Sequence, residues 1–196
     1  MKSINMNKFD SALKKYIEIF TNQEMYFVND LKNLELFKKY PFNTSADDIH
    51  VKLSSINDTD ISNNALMEDA IKHILNLNID DRIKSGDLSV VEDIAHIKTE
   101  GKLFYLLHFA SVYCNFHRPE IFPIYSEQHI AFYKKYIKEN NLPLDPQKIN
   151  TYNVFSKALD DLVQRLGLSG KMNYLHLRKF GWLYAESVMK ESAEPK

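Results

Sequence analysis

The stretch Leu103-Phe-Tyr-Leu-Leu-His-Phe-Ala-Ser-Val-Tyr-Cys-Asn-Phe-His-Arg-Pro-Glu-Ile-Phe-Pro-Ile-Tyr-Ser-Glu-Gln128 decides how the rest of the chain is read. Leu103, Leu106, Leu107, Ala110, Tyr113 and Cys114 recur at helical spacing, and the segment is apolar nearly all round. It is therefore expected to be the central core helix. Pro119 and Pro123 cannot continue a helix and fix the direction of the backbone, while the aromatics between them favour burial. His117, Pro119, Pro123, Tyr125 and Ser126 are thus expected to form a structural corner. Ser126 is well placed as the N-cap of the next helix, with Glu127 in its first turn and Ile130, Tyr133 and Ile137 facing inward.

Helical periodicity extends outward in both directions. Phe9, Leu13, Tyr16, Ile17 and Phe20 share a face, and Phe27, Leu31 and Leu34 begin a second helix that ends before Pro41. Ser45-Ala-Asp-Asp48 reads as a helix start. Leu66, Ala70, Ile74 and Leu75 mark one further helix, and Val90, Val91 and Ile94 a short one. Beyond the corner, residues 140–146 read as a loop. Thr151 can cap a helix bearing Phe155, Leu159, Leu162 and Leu166 that stops at Gly167, and Ser169 can open the last one. Only five glycines occur, none in an Asn-Gly or Asp-Gly pair, so tight hairpins are poorly supplied. The expectation is an all-α single domain of about nine helices over residues 1–190. Residues 1–82 would supply N-terminal helices, residues 83–190 the motif-bearing ones, and residues 191–196 a disordered tail.

Bulk properties fit a globular chain: 196 residues, 44% hydrophobic and 26% charged. One cysteine excludes an intrachain disulfide framework. No secretory signal follows Met1, and the apolar run from Leu103 to Ala110 is too short to span a bilayer. A cytoplasmic protein with no membrane association is expected. The net charge of −1 hides an asymmetry: residues 1–100 carry 12 Lys/Arg and 17 Asp/Glu, residues 101–196 carry 13 and 9. The basic half holds the corner and, after it, Lys134, Lys135 and Lys138, a candidate electrostatic footprint.

Few residues combine into recognisable chemistry. Cys114 and His117 have C-x-x-H spacing, but a zinc site needs four suitably directed ligands, and Cys114 on a core helix suits a small buried apolar group better. A Cys114–His117 nucleophile pair lacks a third, orienting group. No glycine-rich phosphate loop is present, and neither a metal nor a cofactor is expected. Asp47/Asp48, Asp80/Asp81 and Asp160/Asp161 are adjacent pairs, so their side chains diverge by about 100° on a helix and suit first-turn or surface positions. Tyr133 and Tyr136 beside Lys134 and Lys135 form a candidate stacking platform for bases.

The corner resembles a motif of uncharacterised bacterial proteins: Tyr-Ser-Phe-Ala-(Ser/Thr)-Lys-Tyr-Cys, then His-x-Pro, then (Phe/Tyr)-Pro-Ile-Tyr-Asp-Ser. Its matches here are Phe109, Ala110, Ser111, Tyr113, Cys114, His117, Pro119, Phe122, Pro123, Ile124 and Tyr125. Leu177-Arg-Lys-Phe-Gly-Trp-Leu-Tyr184 resembles the same family's C-terminal aromatic helix, so the resemblance covers roughly residues 83–186. A more distant similarity is to the helix-hairpin-helix DNA glycosylases, which place a central helix, a proline-containing corner and then a catalytic aspartate. That resemblance implies duplex DNA as partner, with Arg118, Lys134, Lys135 and Lys138 as DNA-binding residues. It makes Lys102 the counterpart of the lysine that attacks the sugar. The sequence departs from the pattern at Ser126, where the motif has Asp, at Val112, where it has Lys, and in lacking the glycine-rich hairpin. Serine replaces aspartate well as a cap but carries no charge to stabilise an oxocarbenium ion, so Glu127 would have to act instead. The resemblance therefore implies a DNA-binding protein with a glycosylase-like fold whose catalysis is impaired or absent. The alternative is a non-enzymatic helical module that binds another protein. A contiguous exposed apolar patch with no basic groove would favour the alternative.

Overall fold

Glu100 and Gly101 turn the chain back on itself, both with positive φ, 49° and 77°. That pair of left-handed residues builds the tight turn of a β-hairpin, so the computed structural model is mainly helical rather than all-α. The structure describes residues 11, 15, 28–56, 61, 64–126, 130, 133, 134, 137, 145, 151–165 and 167–182. The first expected helix around Phe9–Phe20 apart from Ser11 and Lys15, which are helical, the loop 140–146 apart from Asp145, and the tail 191–196 lie outside the described residues. The chain divides into two compact units, residues 27–125 and residues 1–26 with 126–196.

In the unit 27–125, helices α1 (Val28–Lys39), α2 (Ala46–Ser55), α3 (Asn64–Leu77), α4 (Asp80–Ser85) and α5 (Ser89–Ala95) precede the hairpin. Strands β1 (His96–Thr99) and β2 (Lys102–Tyr105) follow, then α6 (Leu107–His117). Ser45 caps α2 as its sequence position predicts: its backbone is extended (φ −122°, ψ 132°) and its hydroxyl accepts from Asp48 N. Asp87 does the same work ahead of α5, accepting from Ser89 N at 3.0 Å and Ser89 Oγ at 2.6 Å. Arg82 then ties α4 to α5 through Asp87 at 2.8 Å and Asp93 at 2.7 Å.

The hydrophobic centre is α6, buried at every position from Phe109 to Phe116. It packs on α5, where Val90, Val91, Ile94 and Ala95 are all buried, and on α1 through Phe37. The Phe37 ring meets Tyr113 edge-on at 5.3 Å and lies 5.5 Å from Phe116. The expected core helix thus exists, but it opens at Leu107 instead of Leu103. Leu103, Phe104 and Tyr105 belong to β2 and are exposed. Apolar spacing misassigned them because a short apolar run fits a strand or a helix equally well, and the turn signal was a Glu-Gly pair. On α1 the stripe also differs: Val28 and Leu31 are exposed, and Phe37 is the buried residue.

In the hairpin, His96 pairs with Tyr105, Ile97 with Phe104, Lys98 with Leu103 and Thr99 with Lys102. Ile97 and Thr99 point into the unit, where β1 packs on α3. Glu100 occupies a conformation that asparagine adopts more readily, so Glu100→Asn is expected to raise stability by about 0.5–1 kcal/mol, checked by urea unfolding.

In the other unit, helix α7 (Tyr152–Arg165) buries Tyr152, Phe155, Ala158, Leu159 and Leu162. It starts where Thr151 O accepts from Phe155 N, and Gly167 follows it at φ 62°. Residues 174–182 are helical as well. Asn173, not Ser169, caps that segment: its Oδ1 accepts from His176 N at 3.0 Å, while residues 169–171 form a turn. Ser126 O accepts from Ile130 N, and Ile130, Tyr133 and Ile137 are buried, as their spacing predicts. Burial of Tyr133, edge-on to Phe155 at 6.1 Å, removes it from any exposed stacking platform.

Candidate functional site

Two features of the unit 27–125 carry unusual chemistry: a polar cluster inside it and the exposed hairpin on its surface. The cluster begins with Lys52. The apolar stripe of Ile49 and Leu53 on α2, continued by Ile56 just past its end, places Lys52 among buried positions, and it is fully inaccessible to solvent. Its ammonium must find partners inside, and all three donors do. Nζ donates to Phe42 O at 2.8 Å and to Asn43 Oδ1 at 2.5 Å, and lies 3.5 Å from His117 Nε2. The rings of Phe37 and Tyr113 stand 5.7 Å and 5.6 Å from it.

Asn43 joins this cation to a carboxylate. Its backbone N–H donates to both oxygens of Asp80 at 3.0 Å and 3.1 Å, and its Nδ2 donates to Asp80 Oδ1 at 2.6 Å. Its Oδ1 also accepts from the Tyr113 hydroxyl at 2.5 Å. With ammonium and phenol on one side and carboxylate on the other, the amide has one sensible orientation, and every polar atom of the Asn43 side chain is engaged. Asp80 therefore does more than occupy a first turn, while its neighbour Asp81 is exposed.

His117 Nε2 faces two donors, Asn43 Nδ2 at 3.3 Å and Lys52 Nζ at 3.5 Å. It must therefore present a lone pair, which assigns the neutral ring with its proton on Nδ1. Burial, reinforced by the Lys52 charge, holds the imidazole down to about 3. Lys52 is lowered to about 8 by burial, partly offset by the charges of Asp80 and Asp48. The arrangement is a buried charge pair relayed through an amide, and it binds α2, the loop before it, α4 and α6 together.

The corner works alongside. Asn115 Nδ2 donates to Phe122 O at 2.7 Å, Tyr125 N donates to Ser111 Oγ at 2.9 Å, and His108 Nδ1 meets Tyr125 O at 2.6 Å. Phe122, Pro123, Ile124 and Tyr125 are buried, whereas Pro119 and Ser126 are partly exposed. Arg118 ends α6, pairs with Glu120 and donates to Lys84 O at 3.0 Å. Cys114 is fully buried and its thiol is pushed up by burial, opposite to what a nucleophile needs. Native-state labelling of Cys114 by a thiol reagent is expected to be at least a hundredfold slower than in urea; rapid native labelling would restore it as a reactive group.

The hairpin places Lys102 at the start of an exposed strand, opposite Thr99. Where the glycosylase resemblance expects a phosphate-cradling hairpin, the described chain has two four-residue strands. Lys134 is a partly buried helical position. Glu127, Lys135 and Lys138 lie outside the described residues. Sequence inspection passed over Lys52, Asn43 and Tyr113 as a group; the available signal was a lone lysine at i+3 in an apolar helix stripe. Among the described residues, no helix is long and apolar enough to cross a membrane.

Comparison with known proteins places this sequence in a family. The chain is 32% identical over 125 residues to an uncharacterized protein of Haemophilus influenzae, an alignment covering 62% of this chain and 58% of that relative. The chain thus spans somewhat less than two thirds of the relative's length. No solved structure matches. The family match takes in most of the first 80 residues, which the corner motif leaves out, and stops at Ile121, before Tyr125. With residues 12–121, more than half of its length, matching the model HI_0787_N, an N-terminal domain, the protein belongs to that family.

Proposed function

We propose that the chain is a non-enzymatic module that binds another protein through its β-hairpin. The observation that carries this is the run Leu103, Phe104 and Tyr105, which are 68%, 36% and 49% exposed on consecutive positions of one strand. Single exposed apolar side chains are ordinary, but three in succession on an open strand are not. The charge of the unit points the same way: residues 27–125 carry 10 Lys/Arg and 15 Asp/Glu, which disfavours a polyphosphate on that unit. Lys52, the lysine with the depressed pKa, is sealed from solvent and so suits a structural role better than a nucleophilic one.

A second reading, DNA binding on a glycosylase-like fold with impaired catalysis, is favoured by the opposite balance of the other unit. There, 15 Lys/Arg stand against 11 Asp/Glu, Lys134, Lys135 and Lys138 among them. A photo-crosslinking residue at position 103, introduced in cells, separates the two. The protein-binding reading expects a discrete adduct whose partner, once purified, binds the Leu103→Glu/Tyr105→Glu variant at least tenfold more weakly than the unaltered chain. Adducts no different from those at exposed Glu120 would overturn it. Salt-dependent binding to a duplex of roughly 20 base pairs would carry the DNA reading instead.

A further inference from the structure

We infer that the open edge of β2 takes an extended, acidic and apolar segment of a partner protein, which adds to the hairpin as a third strand. This rests on the protein-binding reading and names how the partner is held. The register fixes which backbone groups are available. Across a two-residue turn, Thr99 and Lys102 form the first hydrogen-bonded pair, so Ile97 and Phe104 form the next. The alternation continues beyond the strands, where Leu106 N donates to Ala95 O at 2.8 Å. The N–H and C=O groups of Leu103 and Tyr105 therefore point away from β1, and among the described residues no other strand pairs with β2. An edge of this kind is a template for strand addition.

The side chains select the strand. Leu103 and Tyr105 stand on the face that carries His96 and Lys98, where the His96 and Tyr105 rings lie 4.8 Å apart. Phe104 stands on the other face with Lys102. Tyr105 is fixed in place by donating its hydroxyl to Glu92 at 2.7 Å. An added strand would therefore meet apolar side chains on both faces. Lys98 and Lys102 are exposed, form no ion pair among the described residues and flank Glu100 at the turn, so two lysines against one glutamate leave the hairpin with a net charge of +1 on an acidic unit. In an alternating segment the carboxylates share the face of Lys102 and the apolar residues share the face of Leu103 and Tyr105, whereas an incoming lysine-rich strand would meet like charge.

The test uses the full ¹⁵N-labelled chain and the synthetic peptide acetyl-Thr-Val-Glu-Val-Glu-Ile-Thr-amide. Amide exchange at Leu103 and Tyr105 is expected to slow at least tenfold at saturating peptide. The Lys98→Glu/Lys102→Glu variant should bind the peptide at least tenfold more weakly. A peptide with lysine in place of both glutamates, or one N-methylated at alternate residues, should give no protection. Equal protection by the lysine peptide, or protection confined to other amides, would overturn the inference. So would concentration-dependent protection without peptide, which would assign the edge to a second copy of this chain. Should crosslinking at position 103 yield a partner while no peptide protects these amides, the protein-binding reading stands and strand addition falls.

Discussion

Replacing Asn43 with leucine is expected to lower the free energy of unfolding by about 3–5 kcal/mol. Leucine repeats the branched outline of asparagine but is bulkier, so overpacking at this buried site contributes about 1 kcal/mol. The larger part of the loss is polar. Without the amide, the Lys52 ammonium keeps only Phe42 O and a distant His117 Nε2, the Tyr113 hydroxyl loses its acceptor, and Asp80 Oδ1 loses its side-chain donor. Each orphaned buried group retains its desolvation penalty with nothing to offset it. Lys52→Met in the same background should recover part of the loss, because it removes the stranded cation. Urea unfolding of the single and double variants measures both effects. A decrease below about 1 kcal/mol for Asn43→Leu would show that the cluster is hydrated and contributes little.

Acid is expected to destabilise the protein through His117 before most carboxylates titrate. The folded imidazole titrates at about 3, against about 6.5 in an unfolded chain, so between these values the unfolded state binds a proton that the folded state refuses. Stability from this residue is complete above about pH 6.5 and is lost as pH falls toward 3, amounting to about 3 kcal/mol by pH 4. The cause is local: protonated Nε2 would turn an N–H toward the donors of Asn43 and Lys52. His117→Gln retains an acceptor without the titration. Its unfolding free energy should be flatter with pH between neutrality and pH 4, and identical slopes for the two proteins would refute the assignment.

Much of the fold was legible from residue spacing. The helices at Val28–Lys39, Asn64–Leu77, Ser89–Ala95 and Tyr152–Arg165, the cap at Ser45 and the stop at Gly167 each follow from local rules acting within a few residues. The proline corner too was legible as a joint, since its constraint is covalent. The hairpin was not, because Glu-Gly is a weak form of a turn that Asn-Gly or Asp-Gly would have announced. Ser169 and Asn173 show the same limit: both are good caps, and which one serves depends on where the following helix packs.

What the sequence by itself determined, then, was where helices form and that the segment around Tyr113 is core, because periodicity and backbone sterics are properties of neighbouring residues. Only the tertiary structure decided what the polar residues do. Asn43, Lys52, Asp80 and His117 lie on four separate segments, as many as 74 positions apart, and meet because Phe37, Ile49 and Tyr113 pack around them. Burial removes water as a partner, and each of these groups must then take the partner that the fold supplies. The same packing leaves Leu103, Phe104 and Tyr105 outside, since β1 already covers the core on the side that β2 would otherwise face.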